Sequence, residues 1–246
     1  MTYRSETPLM NAHTPIKSPV TYHHDITQGT QEWLDLRRGK LTASEMKLLV
    51  TPTLKVAAND KVRAHVWELL AQRITGRVEE KFQTDKMLRG HAEEAEARYV
   101  YETRYQPVEV CGFVTNDRHG FTLGYSPDGL VGATGLIEAK SRDAKFQVET
   151  ICAWEVPEEH WIQVQAGLLI SERQWLDFIS YSNGMPMATI TVEPDPLVHE
   201  AILAAAHAFE TTLKTKLDEY RGRLAEQAQR LVPTVYSPPA YGDIRL

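Results

Sequence analysis

Glu138 and Lys140 stand two residues apart in the run Gly-Leu-Ile-Glu-Ala-Lys-Ser, residues 135–141. In extended chain, residues two apart project to the same face, so these two charges travel together while Ile137 and Ala139 point the other way. Apolar Gly135, Leu136 and Ile137 precede them, which predicts a strand inside a sheet rather than at its edge. Upstream lies Ser-Pro-Asp-Gly, residues 126–129, a good turn sequence. A hairpin through 128–135 brings Asp128 beside Glu138. Two adjacent carboxylates repel unless one is protonated or a cation lies between them. Mg²⁺ takes oxygen ligands and commonly one or two protein carboxylates with substrate phosphate. A lysine beside it can orient a water or stabilise charge developing at phosphorus. Together these are the parts of phosphodiester hydrolysis. Each fragment alone also has a plainer reading, as a turn or as a surface ion pair.

The elements that must position this set follow from the hydrophobic pattern. Residues 1–24 are polar and without period and read as a loose leader. A first helical turn or two is expected near Gln31 to Leu36. Thr42 with Glu45 three places on forms a capping-box pattern before Met46-Lys-Leu-Leu-Val. Val62, Val66, Leu69, Leu70 and Ile74 share one helical face, with Asn59 or Asp60 as cap and Gly76 as stop. A helix from about Asp85 through Tyr101 is rich in good helix formers. Strands are expected over 108–115, 120–128, 135–140, 175–182 and 188–193, and a short buried helix over 160–171. After Pro196 a long helix reaches about Leu231, and the proline-bearing tail 232–246 is irregular. The expected fold class is α/β: one domain over 25–231, a central mixed, mostly antiparallel sheet flanked by helices from both ends.

The 246 residues carry a formal net charge of −6. That is a weak argument against nucleic acid, because affinity depends on where charge lies rather than on its sum. The sequence holds no apolar run of membrane-spanning length. Its N-terminus lacks the cationic start and apolar stretch of a signal peptide, which argues against secretion. Two cysteines, Cys111 and Cys152, suit neither a disulfide framework nor a zinc or iron–sulfur set, so a reducing, intracellular compartment is expected.

Beyond the acids and lysine, the order of further pieces resembles the lambda-type exonucleases, the YqaJ-like viral recombinase family of the Pro-Asp…(Asp/Glu)-x-Lys nuclease superfamily. The pieces are Glu-Trp-Leu-Asp-Leu-Arg-Arg-Gly-Lys-Leu-Thr-Ala-Ser-Glu (32–45), Arg-Gly-His-Ala-Glu-Glu (89–94), Ser-Pro-Asp-Gly-Leu with Gly-Leu-Ile-Glu-Ala-Lys-Ser, and His-Trp-Ile-Gln-Val-Gln-Ala-Gly (160–167). The resemblance spans about Gln31 to Ile170 and implies a restriction-endonuclease-like core. It implies Asp128 and Glu138 as metal ligands with the Ala139 carbonyl as a third. Lys140 would position or activate the attacking water. Glu94 would approach the metals or their waters, and Gln165 would orient the lysine or a metal-bound water. Arg37 and Ser44 match positions that hold a terminal 5′-phosphate. That assignment suits a guanidinium fork and a residue in the first turn of a helix.

The implied activity is Mg²⁺-dependent digestion, with Mn²⁺ as substitute and one or two ions, of one strand of linear duplex DNA from a 5′-phosphorylated end. Implied too are a homotrimeric ring, a phage-type single-strand annealing protein as partner, and a phage or prophage origin. Two departures stand out: Ala139 where a bulky aliphatic is usual, and Ser141-Arg142 where Cys-Pro is frequent. Related helicase–nucleases carry a Tyr four residues after the Gln. Here Gln165 is followed at that spacing by Leu169 and Gln163 by Gly167. An endonuclease of the same superfamily and a catalytically silent DNA-end-binding protein stay open as alternatives. Arg142 and Lys145, just past the acid–lysine strand, are candidate phosphate contacts. His91, three residues before Glu94, shares its helical face. Trp33 and Trp161 are read as packing residues, and His23 and His24 as solvated leader.

Overall fold

The structure, a computed structural model, describes residues 18–78 and 85–237. One sheet is built from β1 (Val20–His23), β2 (Leu41–Thr42), β3 (Phe113–Asn116) and β4 (Leu123–Tyr125), in the order β1-β3-β4-β2. The other holds β5 (Gly129–Val131), β6 (Gly135–Ser141), β7 (Trp175–Tyr181) and β8 (Ala188–Val192), in that order. Both are mixed: β2/β4 and β6/β7 run parallel and the remaining pairs antiparallel. Around them lie α1 (Gln31–Arg37), α2 (Met46–Leu49), α3 (Asp60–Thr75), α4 (Asp85–Arg104), α5 (Ala144–Ala153), α6 (Glu158–Ser171) and α7 (Pro196–Glu226). The α/β class with mixed sheet and flanking helices is as expected, but the expected single sheet is two.

α6 explains how two sheets share one core. It packs against β3 and β4 of the first sheet and β7 of the second. Val164, Ala166, Leu168 and Ile170 are all buried, a helix apolar on more than one side and therefore enclosed. Parallel pairing of β6 with β7 requires a crossover, and α5 and α6 supply it.

At the ends of the chain the expectations need correction. The last residues assigned to a loose leader form β1, paired antiparallel with β3 from Val20↔Asn116 to His23↔Phe113. Val20 and Tyr22, alternating as strand residues do, pack onto the core. Residues 1–17 lie outside the described residues. α7 ends at Glu226 rather than Leu231, and its start is capped by the Asp195 side chain, which accepts from the backbone of Leu197 and Val198. Residues 238–246 of the tail also lie outside the described residues. No helix among the described residues is long and apolar enough to cross a membrane.

α3 follows its sequence closely, with Asn59 accepting from Lys61 and Val62 and Gly76 left-handed at its end. It also buries His65, whose Nδ1 lies 3.2 Å from Glu68 and Nε2 3.8 Å from Glu45. Burial opposes the charged imidazole, but the attraction of Glu45 and the hydrogen bond and charge of Glu68 outweigh it, so its pKa is raised. A raised folded-state pKa contributes stability that is fully present below the ordinary histidine value of ~6.5 and is lost as pH rises through the folded value. The wild-type melting temperature is therefore expected to fall relative to that of His65→Gln between pH 6 and pH 8.5. Parallel melting curves for the two proteins over that range would refute the pairing.

Candidate active site

The β5–β6 hairpin aligns Gly129 with Ile137 and Val131 with Gly135, and it turns through Gly132 at φ 52°. Extending that register sets Asp128 opposite Glu138. Asp128 Oδ2 accepts a 2.7 Å hydrogen bond from the Ala139 backbone N–H, which fixes the carboxylate beside the strand. Ile137 and Ala139 pack with Ala97 and Tyr101 of α4, so Glu138 and Lys140 take the opposite face, as strand alternation demands. Glu94, one turn before Ala97 on α4, lines the same cavity as Asp128, Glu138 and Lys140. Arg98 of that helix donates to the Asp128 carbonyl at 3.2 Å and ties helix to hairpin.

Glu138 is only 2% exposed and fully engaged. Oε2 accepts from the Tyr125 hydroxyl at 2.8 Å, while Oε1 accepts from Lys140 Nζ at 2.7 Å and from the Gln163 side-chain amide. Burial, then the Glu138 charge, pushes the Asp128 carboxyl well above the usual carboxylate range. Burial also raises Glu94. For Lys140, burial works against the charge, but Glu138 and Asp128 outweigh it and the ammonium is held above its ordinary value. Burial and the same two acids raise Tyr125 far enough to keep it a donor.

Among the described residues, no three His, Cys, Asp or Glu side chains stand close enough together to enclose an ion as placed. The Lys140 ammonium donates to Glu138 Oε1. The donor set nevertheless suits a hard divalent cation. It offers the carboxylates of Glu94, Asp128 and Glu138, with Asp128 held beside a second buried acid whose charge disfavours ionisation of Asp128.

Arg37 and Ser44 line this same cavity of ≈ 170 Å³. Arg37 Nη1 and Trp33 Nε1 each donate to Ser126 Oγ at 3.0 Å, and Arg37 Nη2 reaches Thr42 Oγ1 at 3.4 Å. Arg37 also stacks 4.6 Å over the Trp33 ring, so Trp33 orients the guanidinium besides packing. A serine hydroxyl offers two acceptor lone pairs and one proton. With both acceptor positions of Ser126 engaged, its proton is what it has left to offer the cavity. Ser44 Oγ lies 3.3 Å from Thr42 Oγ1. The expected helix start at Ser44 is a 3₁₀ turn, Ala43–Glu45, that passes into the four-residue α2, so little helix dipole stands behind it. What shapes the turn is Glu45, whose carboxylate accepts from the Thr42 backbone N–H at 2.8 Å.

Three candidates are placed elsewhere. Gln165 is buried and faces away: its amide donates to the Glu193 carbonyl at 2.9 Å and its oxygen accepts from Asp195 N–H at 2.8 Å. It braces the entry to α7. Gln163, two residues earlier and on the opposite side of the helix, occupies the site instead. Gln165→Ala should therefore lower stability by about 1–3 kcal/mol, the cost of stranding buried backbone groups, with its rate changed little. Urea unfolding beside a nuclease assay would expose a wrong placement as a loss of rate at full stability. Arg142 is buried at 8% exposure, with Nη1 2.5 Å from Glu159 and 3.0 Å from His160 Nε2. Burial, with Lys140 next, lowers His160 to about 4, so the imidazole is neutral beside that guanidinium. Lys145 is exposed over the Phe146 ring, 4.5 Å from its centre, and does not line the cavity. His91, exposed, has Nδ1 3.6 Å from Glu94 and sits at the cavity rim.

Sequence reasoning passed over Tyr125, Ser126 and Gln163. Ser126 and Tyr125 directly precede Pro127-Asp128, and that adjacency was the available signal. A larger cavity of ≈ 510 Å³ between α3 and α7 contains none of the site residues.

The family model of the YqaJ-like viral recombinase domain matches residues 32–174. The crystal structure of the alkaline exonuclease LHK-Exo from Laribacter hongkongensis is similar at 30% identity and a TM-score of 0.72, over 80% of this chain and 99% of that one. The structure of LHK-Exo in complex with dAMP is similar at 31% identity over the same shares, with the same TM-score. No curated protein sequence matches the chain. The matched segment takes in every residue that lines the site cavity except Gln28, and it covers more than half of the sequence. On that match this chain belongs to the YqaJ-like viral recombinase domain family.

Proposed function

We propose that the chain is a metal-dependent exodeoxyribonuclease that degrades one strand of linear duplex DNA from a 5′-phosphorylated end, releasing mononucleotides and leaving a 3′ single-stranded tail. The observation that carries this reading is that the acid–lysine set and the Arg37/Ser44 pocket open into one cavity. A hydrolytic site and an anion-binding site so joined suit a strand whose terminal phosphate is gripped while the next phosphodiester is cut. The dAMP complex of LHK-Exo, a nucleoside monophosphate on a similar fold, supports a mononucleotide-sized site.

Asp128, Glu138 and the Ala139 carbonyl would hold Mg²⁺, or Mn²⁺ in its place, with Glu94 beside them. The bound ion supplies Lewis-acid polarisation of the phosphate and a more acidic water. Lys140, kept cationic by its two acids, orients the attacking water and stabilises charge growing on the phosphate oxygens rather than accepting a proton. Arg37 grips the terminal phosphate with its planar fork, and the Ser126 and Ser44 hydroxyls complete the pocket. Product tails are the substrate of a single-strand annealing protein, which is the partner this reading implies. A homotrimeric ring that encloses DNA is part of it too, and a monomeric mass in light scattering at working concentration would remove that part.

The deciding experiment is digestion in Mg²⁺ of a linear duplex labelled separately at each strand's ends, with 5′-phosphate, 5′-OH and closed circular forms compared. Loss of label from the 5′ ends with the 3′-terminal label retained, faster with phosphate and absent on circles, is the expected result. Cutting of circles would make the chain an endonuclease, and binding without hydrolysis would make it an end-binding protein.

A further inference from the structure

Tyr125 is among the largest fully enclosed side chains, yet its hydroxyl ends on the most buried acid of the site. The two oxygens of Glu138 are divided between opposite sources. Oε2 takes the phenol from β4, and Oε1 takes Lys140 from its own strand and Gln163 from α6. Four residues after Gln163, one turn along the same face of α6, stands Gly167. A Cβ there would lie 2.8 Å from the Tyr125 Cζ atom. The helix thus sends an amide to one oxygen of Glu138 and, one turn on, withholds a side chain so that a ring from another element can reach the other.

We propose that Tyr125 is a positioning residue for the hydrolytic reaction, its phenol holding Glu138 in a single orientation through the space that Gly167 leaves open. This rests on the reading of Glu138 as a metal ligand. A terminal carboxylate torsion is broad and roughly two-fold, so a carboxylate held at one oxygen can still swing about that point. Lys140 and Gln163 hold Glu138 at Oε1, and the phenol adds the second, opposed anchor at Oε2 that fixes the plane of the carboxylate. Partners that orient a ligating side chain in this way are typically worth ~10–100-fold in metal affinity or activity. A plain core tyrosine satisfied by the nearest acceptor would contribute packing and stability but none of this.

The test uses the full chain and Mn²⁺ as probe, with bound metal measured from the loss of the free-ion EPR signal. Tyr125→Phe keeps the ring and removes only the hydroxyl. It is expected to weaken Mn²⁺ binding ~10–100-fold and to lower kcat by a similar factor, with KM for linear duplex unchanged. Gly167→Ala keeps the hydroxyl but pushes the ring off its place, and it should shift Mn²⁺ affinity and kcat in the same direction. This second variant decides the matter should the first fail to fold. Either folded variant with wild-type Mn²⁺ affinity and kcat, altered only in melting temperature, overturns the proposal and leaves Tyr125 a core residue. A wild-type protein that takes up no Mn²⁺ and cuts no DNA would instead overturn the metal-site reading, and this proposal with it.

Discussion

Lys140→Ala is expected to lower hydrolysis of linear duplex about 10³-fold while leaving DNA binding in place. That corresponds to about 4 kcal/mol of transition-state stabilisation. The substitution has a second consequence, because Lys140 also neutralises Glu138. Without the ammonium, a 2%-exposed carboxylate keeps only Tyr125 and Gln163 as partners. Removing one partner of a buried pair costs more than the pair is worth, since the other charge stays behind. The variant should therefore melt lower than wild type in chelator and regain more of its stability than wild type when Mg²⁺ is added, because a ligand of the folded state alone stabilises it. Two measurements thus separate the roles. Loss of rate without Mg²⁺-dependent recovery of melting temperature would leave Lys140 catalytic but remove the carboxylates from metal binding. Retention of the wild-type rate would remove Lys140 from the catalytic machinery and, with it, the assignment of hydrolysis to this acid–lysine set.

The second large effect concerns the end of the strand. Arg37→Ala should abolish the preference for a 5′-phosphate over a 5′-OH, a change of about 10–100-fold in relative rate. This follows from ~1.5–3 kcal/mol for hydrogen bonds to a charged group. Arg37→Lys keeps the charge and loses the fork, and with it the simultaneous reach to Ser126 and Thr42, so it should fall between the two. Rates are to be compared on matched duplexes that differ only at the 5′ terminus. A variant slowed equally on both ends would show that Arg37 serves the fold, through Trp33 and Ser126, and not the phosphate.

Much of the site could be read from the chain because its central part is local. Strand alternation alone puts Glu138 and Lys140 on one face and Ala139 on the other, and the turn residues between Asp128 and Gly135 close the hairpin. The Gln-Val-Gln pair was not decidable in this way. On a helix, residues two apart lie on nearly opposite sides, so only one Gln can face the acids. Choosing between them needs the helix phase, and α6 is buried around too much of its surface for its apolar residues to give one. No element was expected over 144–153, where α5 forms. Its anchorage is tertiary, the Gln147 amide reaching the Ser180 and Pro186 carbonyls. β1 was hidden because four residues of strand gain their stability from β3, 90 to 96 positions away. The division into two sheets likewise depends on where α6 packs, which no local pattern encodes.

The site also has an order of assembly written into its sequence separations. The bond that joins Asp128 to Ala139 spans 11 residues, whereas those from Trp33 and Arg37 to Ser126 span 93 and 89. Loop-closure entropy grows with the logarithm of length, so the longer closures cost roughly 2 kcal/mol more before any contact rewards them. The carboxylate hairpin is thus cheap to form early, and the Arg37 pocket must wait for α1 to meet the start of the hairpin at Ser126. During refolding, burial around the hairpin should precede quenching or shift of Trp33 fluorescence, and discrimination between phosphorylated and unphosphorylated ends should be the last property the protein acquires.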